Sequence, residues 1–238
     1  MEDNRYVKEE RSGMKVEVND TYATLIKKVY WWMTLALAAT AATAYVVTHN
    51  IAILTALYSA GWVIPVLCIG EIVLVISLSA RLHKMSFRTA AVMFAIYAVL
   101  NGLTLSGLLL VYSPSAVTTA FAVSAGMFLT MAIIGSFTSR DLSRWGSILI
   151  MVLVGLLIAM VVNLFVRNSM LDLAISAIGV VLFAGLTVYD AQKIRNAMLT
   201  FDEVDETAAK VAVFFALDLY LDFINIFIYL LRILGRRN

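Results

Sequence analysis

Long apolar runs separated by short polar segments make up most of the chain. Seven of these runs are about 20 residues long and carry few charges, which is the length that a helix needs to cross the roughly 30 Å hydrocarbon core of a bilayer. The pattern therefore predicts an all-α integral membrane protein with seven transmembrane helices. The predicted spans are residues 29–48, 62–80, 89–112, 116–137, 145–166, 173–198 and 211–231.

The segment Ile51–Ala80 is too long for a single span. Its 30 residues would extend about 45 Å as a helix, and Gly61 and Pro65 interrupt it. Glycine and proline together are typical of a turn. We therefore predict a surface turn near Tyr58–Gly61 and a helix that begins at Trp62.

Residues 1–28 form a polar N-terminal segment. They contain six Lys or Arg and six Asp or Glu, and they lack the apolar core of a cleavable signal peptide. We predict a soluble tail here. No Pro-rich or Gly/Ser-rich linker divides the rest of the chain, so residues 29–235 are predicted to form one seven-helix membrane domain.

The composition excludes several classes of protein. Hydrophobic residues make up 62% of the chain and charged residues 14%, with a mean hydropathy of +0.90, whereas about a quarter of the residues in a soluble domain are charged. A net charge of +2 is too small to indicate a nucleic-acid partner. The single cysteine, Cys68, excludes an intramolecular disulfide, and neither His49 nor His83 has a histidine partner at metal-ligand spacing. We predict a protein without a cofactor whose main partner is the lipid bilayer.

The distribution of basic residues predicts the orientation of the chain. If the spans alternate in direction, fourteen of the eighteen Lys and Arg residues fall on the side of the N-terminus, which the positive-inside rule makes the cytoplasmic side. Three of the other four, Arg232, Arg236 and Arg237, follow the last span. A last segment that does not cross, giving six spans and a re-entrant hairpin, would explain them. We favour seven spans, because residues 211–231 are long enough to cross.

Four acidic residues lie inside the predicted spans: Glu71 in the second, Asp190 in the sixth, and Asp218 and Asp222 in the seventh. A charge at the centre of a span costs about 2.5–3.5 kcal/mol on insertion scales, so such residues normally face the protein interior and mark functional sites. Asp218 and Asp222 are four residues apart and share one helix face. That face has to be shielded from lipid, which predicts a central last helix surrounded by the other six.

Closely spaced carboxylates suggest a specific chemistry. In a medium of low dielectric, two such groups do not both ionise but share a proton, so the pair can sense pH. The pair is also a possible calcium site, because Ca²⁺ prefers carboxylate and carbonyl oxygens. The alternative is a polar network that only fixes helix packing, but three aspartates on two neighbouring helices favour function. The residues predicted to sense pH and to line an ion pathway are Asp190, Asp222, Asp218 and Glu71.

Other polar residues in or beside the spans have simpler interpretations. Arg81 follows the second span and, taken alone, is typical of a positive-inside anchor. Asn101 and Asn163 lie within apolar runs, where we predict interhelical hydrogen bonds.

Four segments of the chain resemble motifs of one known family. The sequence LDLYLDFINIFIYLLR at residues 217–232 resembles the final helix of the Bax inhibitor-1 family, also called the transmembrane Bax inhibitor motif family. VYDAQKI at residues 188–194 resembles its sixth-helix motif. GLTLS at 102–106 and TSRDLS at 138–143 match its third helix and the loop between its fourth and fifth helices. The resemblance runs from about Val29 to Gly235 and is closest to the bacterial branch, which implies the plasma membrane.

This resemblance implies a seven-helix fold with the last helix in the middle and a leak for calcium ions that responds to protons. The family's paired carboxylates correspond to Asp190 and Asp222. Its basic latch, which pairs with the sixth-helix aspartate in the closed state, corresponds to Arg81. Two positions depart from the family pattern: Gly107 replaces a proline of many relatives, and Asp218 adds a third carboxylate that some bacterial relatives lack.

Three other functions compete with a calcium leak. An intramembrane aspartyl protease also pairs Tyr-Asp with a second aspartate, but its second motif is Gly-x-Gly-Asp, and no glycine precedes Asp218 or Asp222. A retinal-type receptor needs a lysine inside its last span, whereas Lys210 lies at the end. We therefore do not predict an enzyme or a photoreceptor. The stronger alternative is a non-transporting regulator that binds other membrane proteins in stress or quality control, with the polar segment Glu2–Asp20 available for docking.

Overall fold

Helices account for nearly all of the chain that the computed structural model describes, which is residues 3–81 and 84–235, with side chains from residue 20 onward. These residues form eight helices and no strand. The prediction of an all-α protein is confirmed. The helices are α1 (Asp3–Thr48), α2 (Ile51–Tyr58), α3 (Val63–Arg81), α4 (Phe87–Val111), α5 (Pro114–Phe137), α6 (Ser143–Val166), α7 (Ser169–Met198) and α8 (Glu206–Leu234).

Seven of the helices are long and apolar enough to span a membrane, as predicted. In α1 the membrane-spanning part is Asp20–Thr48, and the helix continues without a break towards its N-terminal end. The eighth helix, α2, is only eight residues long and was not predicted. It begins where the Asn50 side chain accepts hydrogen bonds from the backbone N–H groups of Ala52 and Ile53, which satisfies donors that a helix start leaves free.

Turn residues divide the apolar runs into separate helices. The run that was too long for one span turns at residues 59–62, and Pro65 lies in the first turn of α3, where a missing N–H group costs no helical hydrogen bond. The α4–α5 turn has Ser113 as the cap and Pro114 at the start of α5. The cap's hydroxyl accepts a hydrogen bond from the N–H group of Ala116 at 3.3 Å. Local sequence therefore determines where these helices begin.

One hydrogen bond and one ion pair place the two ends of the last helix at opposite ends of its neighbours. At its N-terminal end, Glu206 accepts from the N–H group of Phe87 at 3.1 Å, next to the loop between α3 and α4. At its other end, Arg232 pairs with Asp172 at the start of α7, with 3.7 Å between Nη1 and Oδ1. One unbroken helix of this length favours a seventh span over a re-entrant hairpin. Arg236 and Arg237 lie outside the described residues, and a cytoplasmic N-terminus remains a prediction.

The last helix is also the most buried of the seven. About two thirds of its apolar window (67%) is buried, against 6% for α3 and for α6. It packs chiefly against α1, α4, α5 and α7, while α3 packs on α4 and α6 packs on α7. The prediction that all six other spanning helices surround it is therefore not confirmed for α3 and α6.

Candidate functional site

Three of the predicted acidic residues meet at the interface between α7 and α8. Asp190 lies on α7, and Asp218 and Asp222 lie one turn apart on α8; we call these three residues the aspartate cluster. Asp222 interacts electrostatically with both of the other carboxyl groups. One cation joins them, because Nζ of Lys193 lies 3.5 Å from Oδ2 of Asp218.

The aspartate cluster extends from a partly exposed end at Lys193 and Asp218, which we call its mouth, to the middle of the bundle. The side chain of Lys193 is 42% exposed and that of Asp218 is 20% exposed, whereas only 3% of Asp222 is exposed. Asp222 lies 12 residues beyond Lys210 on α8, which places it about 18 Å along the helix. The cluster therefore opens towards the face of the bundle where α7 ends and α8 begins.

Asp222 is the residue of this cluster that lies deepest in the bundle. Its Oδ2 is buried and has no hydrogen-bond partner in the part of the chain that the structure describes. Thr187 on α7 is within hydrogen-bonding reach of the carboxyl group. A buried polar atom without a partner costs about 1–3 kcal/mol, so this arrangement does not serve stability. Such a cost is typical of a functional site.

The cluster does not form a closed metal cage. No group of three or more His, Cys, Asp or Glu side chains converges on a possible metal position among the described residues. The calcium site at Asp190 and Asp222 thus stays a prediction. Two carboxylates provide fewer oxygens than the about six to eight that Ca²⁺ takes, so the pair could coordinate a passing ion only together with water.

Arg81 is not part of the cluster in this conformation. It is the last residue of α3, its side chain is exposed, and no ion pair within the described chain joins it to an aspartate. The helix that carries it packs mainly on α4 and is little buried. The latch therefore stays a prediction, and it requires the end of α3 to move towards α7.

Glu71 belongs to a second polar site on the opposite side of α8. Its carboxylate accepts hydrogen bonds from Thr104 Oγ1 at 2.8 Å and from Asn101 Nδ2 at 3.4 Å. The hydroxyl of Tyr220 donates to Asn101 Oδ1 at 3.0 Å and lies 2.7 Å from the hydroxyl of Thr40. Glu71, Asn101, Tyr220 and Thr40 thus form a polar chain across α3, α4, α8 and α1.

The polar chain is separate from the aspartate cluster. Tyr220 and Asp222 are two residues apart on one helix, so their side chains point about 200° apart. The structure therefore does not bring Glu71 to the other predicted acidic residues. The predicted interhelical bond of Asn101 is present. Asn163 on α6 accepts a hydrogen bond from the N–H group of Asn168, the residue that caps α7.

We expect Tyr220→Phe to lower the free energy of unfolding by about 1–2 kcal/mol, because it leaves the buried side-chain oxygen of Asn101 without its donor and removes one contact of Thr40. Thermal unfolding of the purified protein in detergent measures the change. Tyr58→Phe is the matched control: its hydroxyl makes one contact, with Ser106 at 3.1 Å, and it lies at a half-exposed position. Equal losses in the two variants would show that the polar chain adds nothing to stability.

The third-helix motif of the sequence builds part of this polar chain. Gly102 lets α4 approach α1 closely, since a Cβ atom there would lie 2.6 Å from the carbonyl oxygen of Thr40. Asn101 and Thr104, on either side of it, hold Glu71. The helix continues unbroken through Gly107, so the loss of the family's proline leaves α4 continuous.

The sixth-helix motif forms contacts that hold a loop in place, in addition to contributing Asp190 to the aspartate cluster. Gln192 donates to the carbonyl oxygen of Arg140 at 2.6 Å and accepts from the N–H group of Leu142 at 2.9 Å. Arg195 donates to the carbonyl oxygens of Ser136 and Thr138 at 2.8 and 3.0 Å. These contacts attach the end of α5 and the α5–α6 loop to α7. Sequence reasoning missed them because the partners are backbone atoms.

Hydrogen bonds between two side chains and the backbone order the same loop. Asp141 accepts hydrogen bonds from the N–H group and the hydroxyl of Ser143, and both bonds hold the pKa of this exposed carboxyl below its usual range. The carboxylate therefore remains charged beside the start of α6, where a negative charge is favourable.

Comparisons with known proteins agree with this architecture. The family model described as "Inhibitor of apoptosis-promoting Bax1" matches residues 22–238. The chain is 39% identical over 229 residues to the inner membrane protein YbhL of Escherichia coli, covering 96% of this chain and 98% of the relative. It is 45% identical over 219 residues to an uncharacterised protein of Deinococcus radiodurans, covering 92% and 93%. A match of this extent over the whole membrane domain shows that the chain belongs to the Bax inhibitor-1 family.

Proposed function

We propose that the protein is a pH-sensitive calcium leak of a bacterial plasma membrane, gated by Asp190 and Asp222 with Arg81 as a latch. The observation that carries this proposal is the buried, partnerless oxygen of Asp222 beside two further carboxyl groups. A family relative is named as an inner membrane protein, which supports the location. The N-terminus is cytoplasmic in this proposal, so the mouth of the aspartate cluster faces the cytoplasm.

Protonation of the aspartate cluster supplies the pH response. Three carboxyl groups with one lysine beside them repel one another when ionised, and protons relieve that repulsion. When Asp190 is ionised, Arg81 moves in to pair with it and closes the cytoplasmic mouth. When Asp190 and Asp222 share a proton, the pair is lost and α3 and α7 separate. Calcium then passes down its gradient along Asp222.

The packing of α3 is consistent with its role as the moving part. It is little buried and packs mainly on α4, so a shift of its cytoplasmic end breaks few interhelical contacts. Glu71 lies on the same helix and is held by two side chains of α4. A moving α3 therefore pivots about the Glu71 contacts, and Glu71 takes part in gating instead of lining the path beside Asp222.

We expect calcium flux into dye-loaded proteoliposomes to be faster at pH 6 than at pH 8. One gating proton changes the open population by up to about tenfold per pH unit. In Asp222→Asn the flux should lose most of this pH dependence, because the amide cannot take up the proton. Asp202→Asn, at an exposed loop position, is the control and should behave as the unaltered protein.

Two outcomes would contradict the proposal. Flux through Asp222→Asn with an unaltered pH profile would exclude Asp222 as part of the gate. No protein-dependent flux at any pH, from protein that is monodisperse and folded, would exclude the leak. The second outcome would move a non-transporting regulator to first place. One observation favours that function: α1 has 46 residues, about 69 Å as a helix, and so reaches well beyond a bilayer.

A further inference from the structure

Lys193 is the only cation that contacts the aspartate cluster within the described residues. It lies on α7 one turn from Asp190, so both side chains face α8. Its ammonium group lies 3.5 Å from Oδ2 of Asp218 and above the rings of Phe214 and Phe215, 5.9 and 5.4 Å from their centroids. Two aromatic faces and a carboxylate thus hold one positive charge at the mouth of the cluster.

The ion pair between Lys193 and Asp218 has the geometry of a weak contact that can break easily. Charge-assisted N–H···O bonds are normally about 2.7–2.9 Å long, and this one is 3.5 Å with a side chain that is 42% exposed. Lysine carries its charge on a flexible four-carbon stem and binds as a point charge, without the rigid fork of arginine. The ammonium group of Lys193 can therefore leave Asp218 for water without any helix moving.

The groups that interact electrostatically with Lys193 in the described part of the chain are acidic or neutral. Asp190 and Tyr189 interact with it from α7, and Asp218 does so from α8. Asp222 lies deeper in the cluster and interacts with Lys193 more weakly than with the other two aspartates. An ion that enters from the mouth therefore meets Lys193 before it meets the buried carboxyl group.

We infer that Lys193 is a tethered cation that occupies the mouth of the aspartate cluster and competes with divalent cations for Asp218. The inference rests on the proposed function in that it concerns the same cluster. In this inference Lys193 controls the entry of cations. In the proposed function Arg81 controls the movement of the helices. A divalent ion that reaches the cluster first displaces the ammonium group from Asp218.

The test measures calcium binding to the purified full-length protein in detergent, by displacement of luminescent Tb³⁺, and calcium flux in proteoliposomes at one fixed pH. Lys193→Gln removes the charge, and we expect calcium to bind on the order of tenfold more tightly and to reach half-maximal flux at a correspondingly lower concentration. Lys193→Arg keeps the charge and should not tighten calcium binding. Lys210→Gln is the matched control, since this lysine of α8 bonds to the carbonyl oxygen of Met85 and not to the cluster.

The outcomes separate this inference from the proposed function. Tighter binding in Lys193→Gln alone supports the tethered cation, including the case in which only this variant binds calcium. Unchanged or weaker binding in Lys193→Gln overturns it, as does an equal change in Lys210→Gln. Binding that tightens as expected without flux in any variant overturns the leak and leaves the tethered cation in place.

Discussion

Gly135→Val should destabilise the protein more than any other single substitution considered for this fold. Gly135 lies on α5 where that helix meets α7, and a Cβ atom there would be 2.2 Å from the carbonyl oxygen of Val188 and 2.8 Å from the Cβ of Ala191. Backbone atoms of a helix cannot move aside as a side chain can, so the two helices have to separate. Overpacking costs about 1–3 kcal/mol and occasionally more, and we expect at least the upper end of that range.

Thermal unfolding in detergent and the yield of monodisperse protein measure the loss. Gly126→Val on the same helix is the control, because a Cβ atom at that position meets nothing within 4 Å. The same substitution therefore changes helix propensity in both variants but creates a clash in only one. If Gly126→Val lost as much stability as Gly135→Val, the close approach of α5 and α7 would not be what holds this interface.

Gly135 also matters for the candidate site. Val188 and Ala191 lie on either side of Asp190, so a displaced α7 moves the carboxyl group away from α8. The contacts of Gln192 and Arg195 with the C-terminal end of α5 and the α5–α6 loop hold the same stretch of α7. The position of Asp190 is thus determined by a glycine on a neighbouring helix and by backbone carbonyls.

The number of spans could be predicted from the sequence because a hydropathy profile shows the length of each apolar run. A run either is or is not long enough to cross, and the interruption at Gly61 and Pro65 marked the break in the longest one. Hydropathy says much less about which face of a helix meets which neighbour, since lipid and helix interiors are equally apolar. The packing of α3 and α6 outside the core was for that reason not predictable.

The same limit explains what the sequence missed at the site. Spacing along one helix placed Asp218 and Asp222 on a common face, and a motif pointed to Asp190. Nothing in the spacing tells on which side of α8 a residue of another helix lies, so Glu71 was grouped with the aspartates although it belongs to the polar chain. Lys193 was counted only as a positive-inside charge, because its partner lies 25 positions away on the next helix.

Asp222→Asn should stabilise the protein at pH 8 by about 1–3 kcal/mol. The substitution replaces a carboxyl group that is buried beside two other carboxyl groups and has an unpaired oxygen by a neutral amide of the same shape. For a chain of this length that corresponds to a rise of several degrees in the midpoint of thermal unfolding. Asp172→Asn, which removes the half-exposed partner of Arg232, is the control and should change the midpoint little.

This measurement also decides between function and packing for the aspartate cluster. If the carboxyl group of Asp222 held helices together, the substitution would weaken those contacts and lower the midpoint by at least as much as Tyr220→Phe does. If the group is retained for proton and ion chemistry, the variant gains stability and loses the pH response of calcium flux. A site that is kept for its function although it lowers the stability of the protein is expected to show only the second pattern.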